Sequence, residues 1–168
     1  MKLLDPSLIS RLRRIHALEH ATVHVLTQHY PYLTLLARSD WHGFSLHGHV
    51  ATWQVEEAVN EALTRLRAGE RQLALHPRCG TVMAVSGLLT GLAAFAALQI
   101  GPQTGGRVRL AALPNAVLAA TAASVIAQPL GLLLQRYVTT AYRPDDLRVL
   151  SVRRRFGLPL PVHRVEIG

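Results

Sequence analysis

The chain has 168 residues, of which 49% are hydrophobic and only 17% charged, against about a quarter charged in an ordinary soluble domain. That length is enough for one domain, or for a small domain with a membrane anchor. A net charge of +8 suits a surface beside anionic lipid. No nucleic-acid partner is expected, because aromatic and basic residues do not interleave, and the single cysteine, Cys79, excludes an internal disulfide and fits a reducing compartment.

Near the N-terminus Arg11, Arg13 and Arg14 interrupt any apolar run, so no signal peptide is expected. Asp5-Pro6 opens a predicted helix over Ser7 to His29, striped by Leu8, Leu12, Ile15, Leu18, Val25 and Leu26 and ended by Tyr30-Pro31. Tyr32 to Val50 reads as a β-hairpin with a turn containing Gly43. Thr52 is the expected N-cap of a second helix, Trp53 to Ala68, with Gly69 just past its end. Arg71 to Leu75 then leads into His76-Pro77-Arg78-Cys79-Gly80-Thr81.

No Asp, Glu, Lys or Arg lies between Arg78 and Arg107, nor between Arg109 and Arg136. Crossing the hydrocarbon core takes about 20 apolar residues. Val82 to Ile100 supplies one span. Leu110 to Leu134, interrupted by Pro114, Asn115, Gln128 and Pro129, supplies a second, and Gly101 to Gly106 makes the turn between them. The alternative is a pair of buried core helices in a soluble protein. Arginines outnumber those of the connector (Arg107, Arg109) on the other side: Arg65, Arg67, Arg71 and Arg78 before the first span, and Arg136, Arg143, Arg148 and Arg153 to Arg155 after the second. By the positive-inside rule both termini are cytoplasmic, at the inner cell membrane. Gly87 and Gly91 form G-x-x-x-G, which suits close packing within the hairpin or, alternatively, a homodimer. Val149 to Val152 and Val162 to Ile167 suggest a short strand pair.

The expected fold is a mainly α membrane protein. Residues 1–80 form a small cytoplasmic α+β portion, 81–136 a two-helix transmembrane hairpin, and 137–168 a cytoplasmic tail. The lipid bilayer is the expected partner.

His16-Ala17-Leu18-Glu19-His20 fits H-x-x-E-H. Residues four apart share a helix face, so both imidazoles can reach one metal ion. Glu19 stands where a general base would act on an activated water. His24 continues that side one turn on. A metal needs further ligands; His76 and Cys79, three apart in a Pro/Gly turn, offer an imidazole and a thiolate, with Zn2+ the expected ion. A bland reading stands beside this one: His16 and His20 as structural histidines, Cys79 as a small boundary residue and His76 as an interfacial polar one. His42, His47 and His49 fall in or near the hairpin, where surface roles are expected, and His163 carries no pattern.

His16-Ala17-Leu18-Glu19-His20-Ala21-Thr22 with His76-Pro77-Arg78-Cys79-Gly80-Thr81 before a membrane span resembles an uncharacterised bacterial membrane-protein family with HALEHAT and HPxCGT signatures. It is similar to the YqhQ-type proteins, usually labelled predicted metal-dependent enzymes, although Ala21 stands where their pattern has Lys. The resemblance implies that His16, Glu19, His20, His76 and Cys79 are the functional positions. Two functions remain open: a membrane-anchored zinc-dependent hydrolase of unknown substrate, and a non-enzymatic assembly protein in which the same residues form a structural metal or polar cluster.

Overall fold

In a computed structural model of the chain, which describes residues 6–100, 110–144, 146–156 and 159–168, the first helix, α1, runs Pro6–His29. Ile15, Ala17, Leu18, Ala21, Val25 and Leu26 are its buried face, whereas Leu8 is 44% exposed. The apolar stripe thus begins later than its leucines suggest, and two alanines complete it. Asp5, the connector at 101–106 with Arg107 and Arg109, and residues 157–158 lie outside the described residues.

A hairpin follows, β1 (Leu36–Asp40) and β2 (Gly43–His47). Gly43 has φ +150, and a Cβ there would run into the carbonyl oxygen of Val165, so only glycine lets the neighbouring strand close in. Helix α2 covers Thr52–Arg67. Its N-cap is Ala51, not Thr52: the Ala51 N–H donates to Gln54 Oε1 at 2.8 Å. A glutamine at the third helical position reaches back to a donor that no hydroxyl serves. Gly69 takes φ +96 just beyond the helix, and its N–H donates to Leu66 O at 3.0 Å. A 3-10 turn, Arg71–Ala74, follows.

Strands β3 (Val149–Arg155) and β4 (Val162–Ile167) complete one antiparallel sheet in the order β1-β2-β4-β3. Phe44 pairs with Val165 and Leu46 with His163. Burial alternates along β4, so His163, Val165 and Ile167 face inward with Phe44 and Leu46. Helix α1 packs on β1, β2 and α2, and α2 packs on β3. This unit comprises Met1–His76 and Arg136–Gly168. One sheet is therefore built from two chain segments with residues 77–135 inserted between them.

The second unit, Pro77–Gln135, holds α3 (Gly80–Ile100) and α4 (Leu113–Leu134), the latter containing Pro129 and running on into a π-helical turn, Gln135–Thr139. Both helices are long and apolar enough to cross a membrane. Within their apolar windows only 6% and 11% of residues are buried. Met83, Leu88, Leu92 and Phe95 on α3 and Val117, Leu118, Val125 and Ile126 on α4 are exposed. Buried core helices would hide these side chains. The helices approach each other where a Cβ on Gly131 would meet Val82 Cα at 2.9 Å. Gly87 and Gly91 have nothing within 4 Å of a built Cβ, so the expected packing of this pair within the hairpin is not what brings the helices together.

Candidate metal centre

Successive turns of α1 place His16, His20 and His24 on one side of the helix. The His16 and His20 ring centroids are 4.3 Å apart. After the 3-10 turn the chain brings His76 back to them, 5.9 Å from His20 and 5.0 Å from His24. Four imidazoles therefore gather in the first unit. Three were singled out by motif, and His24, left open by the sequence, joins through its contact with His76.

Backbone carbonyls orient three of these rings. His20 Nδ1–H donates to Ala74 O at 2.8 Å, His16 Nδ1–H to Thr139 O at 3.0 Å, and His24 Nε2–H to Leu75 O at 2.7 Å. A carbonyl can only accept, so each contact fixes a tautomer. In the neutral rings of His16 and His20 the lone pair is left on Nε2. His20 is 3% exposed, and its buried Nε2 has no hydrogen-bond partner among the described residues. A buried nitrogen lone pair left unsatisfied is unusual and calls for an explanation such as an ion.

Glu19 is buried and accepts a hydrogen bond from the Ser39 hydroxyl. Ser39 lies opposite Phe44, on the sheet face toward α1. The contact orients the carboxylate and ties α1 to β1. Cys79, in the second unit, is half-buried, and its Sγ accepts the Thr81 N–H at 3.4 Å. Two residues, Pro77 and Arg78, stand between it and His76 in the sequence.

The remaining histidines do other things. His42 and His49 are exposed, and His47 is a half-buried residue at the end of β2. His29 pairs with Glu61 at 3.0 Å. His163, without a sequence pattern of its own, is fully buried, and neither ring nitrogen has a partner among the described residues. Burial, reinforced by the guanidinium of Arg154 on the paired strand, pushes its pKa down. The period-two run His163, Val165, Ile167 is the signal that could have placed it inside.

A family profile described as a domain of unknown function (DUF6391) matches residues 11–152. An uncharacterized protein of Picosynechococcus sp. (strain ATCC 27264 / PCC 7002 / PR-6) is 42% identical over 140 residues, 77% of this chain and 66% of that protein. The match thus spans just under two thirds of the relative's own length. No solved structure matches.

Proposed function

The chain belongs to the DUF6391 family, whose function is unknown, and from that premise we propose that it is a membrane-anchored, metal-dependent hydrolase. His16 and His20, with His76 or Cys79, hold the ion, and Glu19 is the general base. One observation carries this reading: the buried Nε2 of His20, without a partner among the described residues, on a ring fixed from behind by the Ala74 carbonyl. Carbonyl-anchored imidazoles of defined tautomer are what metal ligation asks of its supporting contacts. His16, His20 and His76 offer imidazole nitrogens and Cys79 a thiolate, all ordinary zinc donors. Two imidazoles and a thiolate favour zinc over the oxygen-seeking cations.

A bound zinc supplies Lewis acidity that makes water a better nucleophile. The chain's own groups do the rest. The Thr139 and Ala74 carbonyls hold the two rings, and Ser39 orients the Glu19 carboxylate, which takes the proton from the attacking water. Helices α3 and α4 form a transmembrane hairpin, supported by their lipid-like exposed surfaces, with both termini on the cytoplasmic side. The likeness of the two motifs to the YqhQ-type predicted metal-dependent enzymes agrees with this assignment. The open Gly87 and Gly91 face suits a second copy of the chain.

A structural role is the second reading. It is favoured by the contact from Ser39 to Glu19, which fastens helix to sheet and so gives the carboxylate a purpose without catalysis. Elemental analysis of the purified protein, with His20→Ala as control, tests the centre: near-stoichiometric zinc in the wild type, lost in the variant, is expected, and a metal-free wild type sinks the proposal. Glu19→Gln should keep the zinc and lose hydrolysis of ester, amide and phosphoester probes. Undiminished hydrolysis in that variant removes the general-base role, and a zinc-bound wild type inert to every probe favours the structural reading.

A further inference from the structure

Beside the histidine cluster, within the first unit, lies a cavity of about 260 Å³ bounded by Arg71, Gln72, Arg136, Thr140 and Tyr142. Ala74 and Leu75 form its remaining wall. These are the residues whose carbonyls hold His20 and His24, and Thr140 follows the residue whose carbonyl holds His16. The cavity and the imidazoles therefore share a backbone partition. Among the described residues, two guanidinium-bearing side chains line the cavity and no carboxylate does. The Arg71 guanidinium lies 4.2 Å from the centroid of the Tyr142 ring, a cation–π contact that pre-positions it. Arg136 lies 5.5 Å from the Tyr137 ring.

We propose that this cavity binds the phosphate group of the molecule on which the histidine centre acts. The claim rests on the hydrolase reading only in calling that molecule the substrate; binding itself follows from the cavity. Two arginines, an amide (Gln72) and two hydroxyls (Thr140, Tyr142) come from two chain segments, the 3-10 turn and residues 136–142, so that an oxyanion between them is met from both. A tetrahedral phosphate uses such a set, whereas one bidentate arginine satisfies a planar carboxylate. The volume falls just below the roughly 300–1,000 Å³ of drug-sized sites, which fits a headgroup or small phosphoester and not a peptide or a whole lipid. The cavity anchors the phosphate and takes no part in bond breaking.

The test uses the full chain in phosphatidylcholine nanodiscs. Glycerol 3-phosphate is titrated by calorimetry, with glycerol and glycerate as controls, and retention of phosphatidic acid in mixed nanodiscs is read by native mass spectrometry. Saturable binding is expected in at least one arm. The first arm alone identifies a soluble phosphoester, the second alone a lipid headgroup. Arg71→Gln and Arg136→Gln should each weaken it about tenfold, and the double variant should abolish it. Both side chains are exposed, and unchanged far-ultraviolet dichroism and zinc content show that the variants fold. No binding in either arm, undiminished binding in the double variant, or preference for glycerate overturns the proposal. Zinc-loaded protein without phosphate binding removes the cavity alone. Arginine-dependent phosphate binding by protein that takes up no zinc leaves the cavity standing and removes the metal reading.

Discussion

The Nδ1–H of His20 donates to the carbonyl of Ala74 at 2.8 Å across 54 residues of sequence. That bond turns the other ring nitrogen toward the cluster and pins α1 to the segment after α2. An imidazole held this way cannot swing toward water to satisfy itself. The buried Nε2 therefore imposes a penalty on the metal-free protein, about 1–3 kcal/mol for an unpaired buried polar group.

Removal of the ion should for that reason be felt as lost stability. A ligand bound only by the native state at a thousandfold over its dissociation constant contributes about 4 kcal/mol. Dialysis against a chelator should lower the melting temperature of the wild type by several degrees, and zinc should restore it. His20→Ala should start lower and ignore both treatments. A wild type whose melting is the same with and without chelator would speak against the centre.

Ser39→Ala removes the hydroxyl that Glu19 accepts from and leaves the buried carboxylate with one hydrogen bond fewer. The expected loss is about 1.5–3 kcal/mol, the worth of a hydrogen bond to a charged group. Urea unfolding followed by dichroism measures it. If Glu19 is a general base, the variant also loses turnover while its zinc content holds. A change below about 0.5 kcal/mol, the range of ordinary surface substitutions, would show that the contact does not carry the helix–sheet junction.

His163 gives a pH dependence whose sign is fixed by burial. Its pKa in the folded chain lies below the ordinary value of 6.5. As pH falls through about 6.5 the unfolded chain takes up a proton that the folded chain refuses, so stability declines at up to about 1.4 kcal/mol per pH unit until the folded pKa is reached. Above neutrality this contribution is flat. His163→Leu fills a similar volume without polar atoms, should stabilise the protein most at acidic pH, and should remove that part of the slope. Parallel stability curves for the two proteins between pH 5 and 8 would refute it.

The spacing His16, Glu19, His20 states by itself that two imidazoles share a face, and a Pro-containing turn at His76 allows the return. Those parts of the site were legible because they are local. The tautomers were not, since they depend on the carbonyls of Ala74 and Thr139, which no motif marks. Thr52 looked like a cap because a hydroxyl is the usual one, and a reaching Gln54 makes Ala51 serve instead. His163 carries no local motif, because its strand's place between β2 and β3 is set by pairing between distant segments. Arg71 and Arg136 likewise meet at one cavity only after the 77–135 insertion returns the chain.

Glycines in the hairpin show the same limit and supply a last test. A helix apolar on every side does not declare which face meets its neighbour. The G-x-x-x-G pattern pointed to Gly87 and Gly91, but the close approach is at Gly131, where a Cβ would come within 2.9 Å of the backbone of Val82. Backbone cannot rotate aside as a side chain can, so Gly131→Ala must push α4 away from α3. Overpacking of this kind costs about 1–3 kcal/mol. Gly87→Ala and Gly91→Ala meet open space and should leave a single chain as stable as before. They should weaken association only if a second copy packs there, which cross-linking in nanodiscs reads directly. Thermal unfolding of the three variants in the same detergent decides the hairpin contact: a destabilised Gly91→Ala beside an unaffected Gly131→Ala would mean that α3 presents its other face to α4.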